Sequence, residues 1–252
     1  MAQANAALAD HGTVYFALEQ TAGKGQRGKS WITTIGENIM MSVVIQPQSL
    51  KTSDQFLLSA AIALGCYDFF KNYAGEETTV KWPNDIYWRD RKAGGILIES
   101  RIGNRESAVG SQKPAAPTNL PKENPLPIAD SRLPLWLWAI AGVGLNINQT
   151  QFGEGILRPV SLKQITGKTY DIQLLAKELC NYLEHRYQAL SNPAQLLTDY
   201  HQAMYKKGQT VKLKKGNSVF ETTITGVTSS GQLVTNDALE RYFDVGEVEW
   251  II

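Results

Sequence analysis

Residues Glu19 to Trp31 read EQTAGKGQRGKSW, in which Gly23, Gly25 and Gly28 alternate with Lys24, Arg27 and Lys29 and Trp31 closes the run. Glycines let backbone N–H groups approach a ligand closely, and interleaved Lys and Arg add charge and fork-shaped donors, so the chemistry served is the binding of phosphate or carboxylate oxygens. A solvated turn can have the same composition, so the rest of the chain must decide. Gly23 to Ser30 also satisfies the P-loop pattern G-x-x-x-x-G-K-[ST]. A P-loop needs a helix opening at its Lys-Ser, whereas Trp31 onward (WITTIGENIMMSVVIQP) is β-branched, interrupted by Gly36 and strand-like at SVVI, which argues against it.

A second group of reactive side chains lies between residues 81 and 99. In KWPND (Lys81 to Asp85), Pro83 holds Trp82 extended, and Asn84 and Asp85 tolerate the tight turn that follows. Alone this is an ordinary turn. It gains meaning from KAGGILIE (Lys92 to Glu99), where a lysine opens an apolar strand and Gly94 and Gly95 leave space against its backbone. Such a lysine either caps a strand edge or, with a ligand nearby, neutralises phosphate or carboxylate charge. A third group is AGVGLNIN (Ala141 to Asn148): Gly142 and Gly144 keep the backbone open, and Asn146 and Asn148 share a face by the two-residue period. Their amides offer the donor and acceptor that an adenine edge needs, although an Asn-rich strand end is often only a turn.

The elements that must carry these groups are legible. An Ala-rich helix is expected to end near Gly12, and Val14 to Glu19 reads as a strand. Thr52 and Gln55 suggest a capping box ahead of a helix with Phe56, Leu57, Ala60, Ile62, Ala63, Leu64, Tyr67, Phe69 and Phe70, apolar around much of its circumference and stopped by Gly75. TTVKWPNDIYWRDRKAGGILIES is expected to form two short strands around a turn. From about 103 to 134 the chain holds six of its ten prolines (Pro114, Pro117, Pro121, Pro125, Pro127 and Pro134), a composition that predicts a solvated insertion between neighbouring strands. Leu135 restarts a strand. Two helices follow, one capped by Asp171 and one opened by Asn192-Pro193 and ended by Lys206, Lys207 and Gly208. After Gln209 the texture is purely β, with four or five short strands that suggest a small barrel leaning on the main domain.

With 25 basic against 24 acidic residues the net charge is +1, which argues against a dedicated nucleic-acid binder. Cys66 and Cys180 lie in helical apolar patterns without metal or redox spacing, and His11, His185 and His201 have no ligand partners at the right spacing, so no protein metal site is expected. MAQANAALADHG is not a signal peptide, and the apolar run Leu133 to Asn146 is too short for a membrane span. A cytoplasmic protein without a membrane partner is the expectation.

GKGQRGKSW at 23 to 31, KWPND at 81 to 85, KAGGIL at 92 to 97 and GVGLNIN at 142 to 148, followed by a β-rich module, resemble the biotin protein ligases in both motif and order. The resemblance spans the chain apart from the insertion. It implies an α+β fold: a mixed sheet packed with helices, as in class II synthetase-like biotin/lipoate ligases, over residues 1–205, and an SH3-like barrel over 206–252. It implies that biotin attacks ATP to give biotinyl-5′-AMP and that a lysine of a biotin carboxyl carrier domain then takes the biotin. Mg²⁺ would be held chiefly by the phosphates. Lys92 would bridge the biotin carboxylate and the α-phosphate, and Lys24, Arg27 and Lys29 would hold phosphates. Gln20, Gly23, Lys24, Gly25, Gln26 and Gly95 would line the biotin site, with Gln26 standing where many relatives have another arginine. Trp31 would wall the adenine pocket, Asn84, Gly144 and Asn146 would meet the nucleotide, and Asp85 would orient it and the incoming lysine.

Relatives place a strand and a Ser-Thr-Asn segment, whose hydroxyls bind the biotin ureido group, ahead of the first helix, and Met1 falls just beyond that point. The expectation is either a start recorded downstream of the true one or a form lacking part of the pocket. No DNA-binding helix-turn-helix is read, and homodimerisation is left open. The alternatives are a lipoate or octanoate ligase or transferase of the same fold, and a biotin-binding protein without catalysis.

Overall fold

The computed structural model describes residues 9–21, 23, 25, 33–47, 50–103, 135–153 and 158–251. The expected N-terminal helix before Ala9 and the Pro-rich insertion from 104 to 134 lie outside these residues.

A six-stranded antiparallel sheet is built from β1 (Val14–Phe16), β2 (Asn38–Ile45), β3 (Thr78–Lys81), β4 (Asp85–Trp88), β5 (Arg91–Gly103) and β6 (Leu135–Asn146). Its order is β1-β2-β6-β5-β4-β3. The segment expected to give two strands therefore gives three. Arg89 turns the chain with a positive φ of 53°, and β4 returns into β5 rather than ending in a loop.

Helix α1 (Gln55–Ala74) is buried on nearly every side, as its all-round apolar sequence requires. It is covered on one side by the sheet residues Ile39, Ala93, Ile96, Ala141, Val143 and Leu145, and on the other by Leu179, Leu183 and Leu196 of later helices. The Thr52–Gln55 capping box does not form. Thr52–Asp54 is a 3₁₀ turn, and the helix starts at Gln55 without a side-chain cap. Gly75 ends α1 as expected.

The short α2 (Leu162–Thr166) does carry a capping box, Ser161 with Gln164. Asp171 caps α3 (Ile172–Gln188) through the amides of Gln173 and Leu174. Asn192 caps α4 (Pro193–Ala203), which stops three residues before the lysines expected to end it. Arg186 of α3 clamps Asp68 of α1 and Asp199 of α4, so the three helices are joined by ion pairs as well as packing.

The C-terminal strands β7 (Thr210–Lys215), β8 (Ser218–Val227), β9 (Leu233–Asn236), β10 (Glu240–Phe243) and β11 (Glu249–Ile251) form a second antiparallel sheet, ordered β10-β9-β8-β7-β11, in line with the small β module expected. It rests on the first unit at several points. Trp82 Nε1 donates to Gly231 O at 2.9 Å, and the amide of Val227 on β8 donates to His201 Nε2 of α4 at 3.0 Å.

Candidate functional site

Helices cover one face of the first sheet, where Ile86, Ile96, Val143 and Leu145 point into the core. Alternation sends Asp85, Gly144 and Gly142 to the other face. On that face the strand register sets one row across five strands: Lys81, Asp85, Gly95, Gly144 and Met40. Leu97, Gly142 and Ser42 form the next row. Three glycines in two adjacent rows leave a floor without side chains, beside which charged groups stand.

Lys92 reaches this face only because the ladder is irregular. Residues three apart on a regular strand point to opposite faces, which would separate Lys92 from Gly95. The register slips between Ile86 and Tyr87: Ile86 pairs with Gly94, but Tyr87 pairs with Lys92, leaving Ala93 as the extra residue of a bulge. A Cβ added to Gly95 would consequently lie 3.3 Å from Lys92 Nζ and 3.2 Å from Asp85 Oδ1. Gly94 faces the other way, and its Cβ would collide with Gly144 O at 2.7 Å and Leu145 Cδ2 at 2.4 Å. The two glycines do different work: Gly94 admits close strand contact and Gly95 makes room for the ion pair.

That ion pair is Lys92 Nζ with Asp85 Oδ2 at 2.7 Å, each side chain about a quarter exposed (26% and 27%). The Lys92 backbone is fixed from outside the sheet, donating to Arg158 O and accepting from Val160 N, both at 2.9 Å. With its main chain anchored, the side chain alone remains to move. Asn146 Nδ2 donates to Val160 O at 3.1 Å, tying the end of β6 to the segment that holds Lys92.

The KWPND turn is fixed from below. Its Trp82–Pro83 peptide is cis. The fully buried Tyr200 of α4 donates to Pro83 O at 2.8 Å, and Trp82 is buried against the C-terminal sheet. Asn84 is 5% exposed, and its amide donates to Ser59 Oγ of α1 at 3.2 Å. Pro83, Asn84, Ser59, Leu97 and Gly231 also line an open cavity of about 450 Å³ between α1, β5 and the C-terminal sheet. A basic, glycine-floored face with an ion pair at its edge can hold an anion and bring a second anionic group to it.

Residues 2–111 match the family model described as Biotin/lipoate A/B protein ligase family. Those residues, somewhat less than half of the chain, are thus similar to that family. The "Bifunctional ligase/repressor BirA" of Bacillus subtilis is 26% identical over 245 residues, covering 93% of this chain and 65% of that protein. The "Biotin--[acetyl-CoA-carboxylase] ligase" of Mycobacterium tuberculosis is 35% identical over 91 residues, covering 35% of this chain and 34% of the other. The chain thus spans about two thirds or less of the length of these relatives. Among solved structures, the biotin protein ligase of Aquifex aeolicus in complex with biotin and ATP superposes with a TM-score of 0.71 at 19% identity, over 96% of this chain and 90% of the other. The Leishmania major ligase with biotinyl-5-AMP gives 0.56 at 21%, over 96% of this chain and 89% of the other, so the likeness is one of fold.

The structure brings Asp85, Lys92, Gly95 and Gly144 together, and places Asn146 at the end of the strand that carries Gly144. Asn84 faces α1 rather than the glycine floor. Asn148 is not a partner of Asn146 on a strand face. It follows the strand and grips Tyr170, donating to its carbonyl at 2.8 Å and accepting from its amide at 3.0 Å, a structural clamp. Gln20 is exposed, with Gly23 and Gly25 partly covered. Lys24, Gln26, Arg27, Lys29 and Trp31 lie outside the described residues.

Sequence reasoning missed three contributors. Asn38, fully buried opposite Asn146, accepts from Ile147 N and donates to Gln149, and so shapes the strand end. Tyr87 and Lys81 stand beside the ion pair, with Lys81 Nζ 3.2 Å from Tyr87 Oη. Burial, reinforced by the charges of Asp85 and Asp90, pushes the Tyr87 phenol well above its ordinary pKa and keeps it neutral. Tyr87 carried a signal, because its position two residues after Asp85 puts it on the same face.

Proposed function

We propose that this protein activates biotin with ATP and transfers it to a lysine of a biotin carboxyl carrier domain, with residues 1–205 as the catalytic part and 206–252 as an SH3-like part. The observation that carries the reading is the Lys92–Asp85 pair at the edge of a glycine floor. In the first step a biotin carboxylate oxygen bonds to the α-phosphorus and the bond to the β-phosphate bridge breaks, so pyrophosphate leaves with the electron pair. In the second, the carrier amine attacks the acyl carbon, AMP leaves, and the amine's surplus proton passes to a base; Asp85 is assigned to orienting the nucleotide and the incoming lysine.

Both steps crowd negative charge, so fixed cations and amides are the main need. Lys92 is assigned to the biotin carboxylate and α-phosphate, Arg27, Lys24 and Lys29 to phosphates, and Gln20, Gly23, Gly25, Gln26 and Gly95 to biotin. Trp31, Asn84, Gly144 and Asn146 are assigned to the nucleotide. Mg²⁺ would neutralise the phosphates and take its ligands chiefly from them. No helix among the described residues is long and apolar enough to cross a membrane, in keeping with a proposed cytoplasmic setting.

The test is incubation with Mg-ATP, an apo carrier domain and each of biotin, lipoate and octanoate. Pyrophosphate release and lysine acylation with biotin are expected. Turnover of lipoate or octanoate instead would move the assignment within the family, and biotin binding without turnover would support a binding protein.

A further inference from the structure

The β4–β5 ladder holds two registers. At its inner end Asp85 lies opposite Gly95 and Ile86 opposite Gly94; at its outer end Tyr87 lies opposite Lys92 and Trp88 opposite Arg91, which leaves Arg89 and Asp90 as a two-residue loop. Continued without a bulge, the inner register would set Tyr87 opposite Ala93 and Trp88 opposite Lys92, with Arg89 to Arg91 as a three-residue loop. Lys92 would then share the face of Gly94 and point away from Asp85. Two- and three-residue loops are both common in hairpins, so the choice lies with the turn and with what holds it.

The residues of the turn favour the observed loop poorly. Two-residue loops draw on Asn-Gly, Asp-Gly or Gly-X because they require left-handed backbone. Here the loop is Arg-Asp, and Arg89 adopts a φ of 53° that a long side chain rarely takes. Support comes from outside the hairpin. Tyr205 Oη, in the segment after α4, donates to Asp90 Oδ1 at 2.5 Å, and Lys206 Nζ lies 3.1 Å from the same oxygen. These bonds, that of Tyr205 foremost, hold the Asp90 carboxyl below the usual carboxylate range, so it accepts as an anion and both bonds are strengthened. Tyr205 is itself fixed. It is 4% exposed, its amide donates to Val80 O at 2.9 Å, and its ring lies against those of Tyr87 and of Trp250 on β11, with centroids 5.1 and 5.7 Å away.

Resting on the proposed role of Lys92, we infer that Tyr205 and Asp90 are positioning residues: their hydrogen bond selects the two-residue loop, and with it the bulge at Ala93 that turns Lys92 toward Asp85 and the glycine floor. The main-chain bonds of Lys92 to Arg158 and Val160 act on the side of β5 away from β4. The Tyr205 contact acts at the turn, where loop length is set. It also links Lys92 to the C-terminal sheet, since Trp250 backs Tyr205.

The test uses Tyr205→Phe, which keeps the ring and removes the donor, alone and combined with Arg89→Asn and Asp90→Gly. An Asn-Gly loop forms a two-residue turn by its own preference. The variants are made in the full chain, with thermal melts to confirm folding. With biotin and Mg-ATP, kcat for pyrophosphate release is expected to fall about tenfold in Tyr205→Phe while KM for biotin stays within about twofold, because the glycine floor is kept. The triple variant is expected to recover most of the loss although it lacks the Tyr205–Asp90 bond, a rescue that a purely packing role would not allow. In Tyr205→Phe with Asp90→Ala, cross-strand nuclear Overhauser contacts are expected to reveal a population with Lys92 opposite Trp88. An active parent matched by Tyr205→Phe, a loss that Asn-Gly fails to recover, or a double variant with Lys92 opposite Tyr87 alone overturns the inference and leaves the functional reading standing. A parent that neither binds biotin nor releases pyrophosphate overturns the functional reading, and the cross-strand contacts then still decide the part of the inference that concerns the turn.

Discussion

Lys92 Nζ lies 2.7 Å from Asp85 Oδ2, diagonally across the β4–β5 ladder, while the Lys92 main chain is held on its other side by Arg158 and Val160. The pair is partly open to solvent, so it contributes little to stability, below about 1 kcal/mol. Lys92→Ala is therefore expected to melt within a few degrees of the parent yet lose adenylate formation by a factor on the order of 10²–10³. Pyrophosphate release beside a thermal melt checks both halves, and near-parental release would contradict the role of Lys92.

Adjacent glycines should separate stability from activity. Gly94→Ala forces a Cβ against Gly144 O and Leu145, with backbone on one side, and is expected to destabilise by about 1–3 kcal/mol. Gly95→Ala meets only the movable ends of Asp85 and Lys92, so it should unfold near the parent midpoint in urea and lose turnover instead. Equal effects of the two on unfolding would show that Gly95 also serves packing.

Trp82→Phe keeps most of the ring volume but leaves the carbonyl of Gly231 without its donor, 2.9 Å away in the parent. A cost of about 1–3 kcal/mol is expected from the buried acceptor. Because Trp82 precedes the Asn84–Asp85 turn, a loss of turnover larger than the loss of folded protein should accompany it, measured at a temperature where both proteins are folded.

His201 Nε2 of α4 lies 3.0 Å from both the amide nitrogen and the carbonyl oxygen of Val227. Burial, helped by Lys207, holds its imidazole below the ordinary value of 6.5, with the Val227 bond offsetting part of that. The unfolded chain therefore takes up the proton first. The contribution is complete above about pH 6.5 and is lost as pH falls through the lower folded value. Urea unfolding at about pH 8 and pH 5 should show a smaller difference for His201→Gln than for the parent. An unchanged difference would assign the pH dependence to other groups.

The sequence by itself determined the parts whose cause is local. Apolar periodicity and Gly75 set α1, Asp171 and Asn192-Pro193 set the starts of two helices, and β-branched runs after Gln209 set the second sheet. The identity of Asp85, Lys92 and the glycine pair as one group was also legible, because motifs of fixed spacing carry it. Only the tertiary structure decided how they meet. The bulge at Ala93 reverses the face of Lys92, strand order sets Lys81 opposite Asp85, and Asn148 is spent on Tyr170 rather than on the site. Each of these depends on which strands become neighbours and in what register, a choice made by burying α1 and the sheet together over many residues, and no short window of sequence contains it.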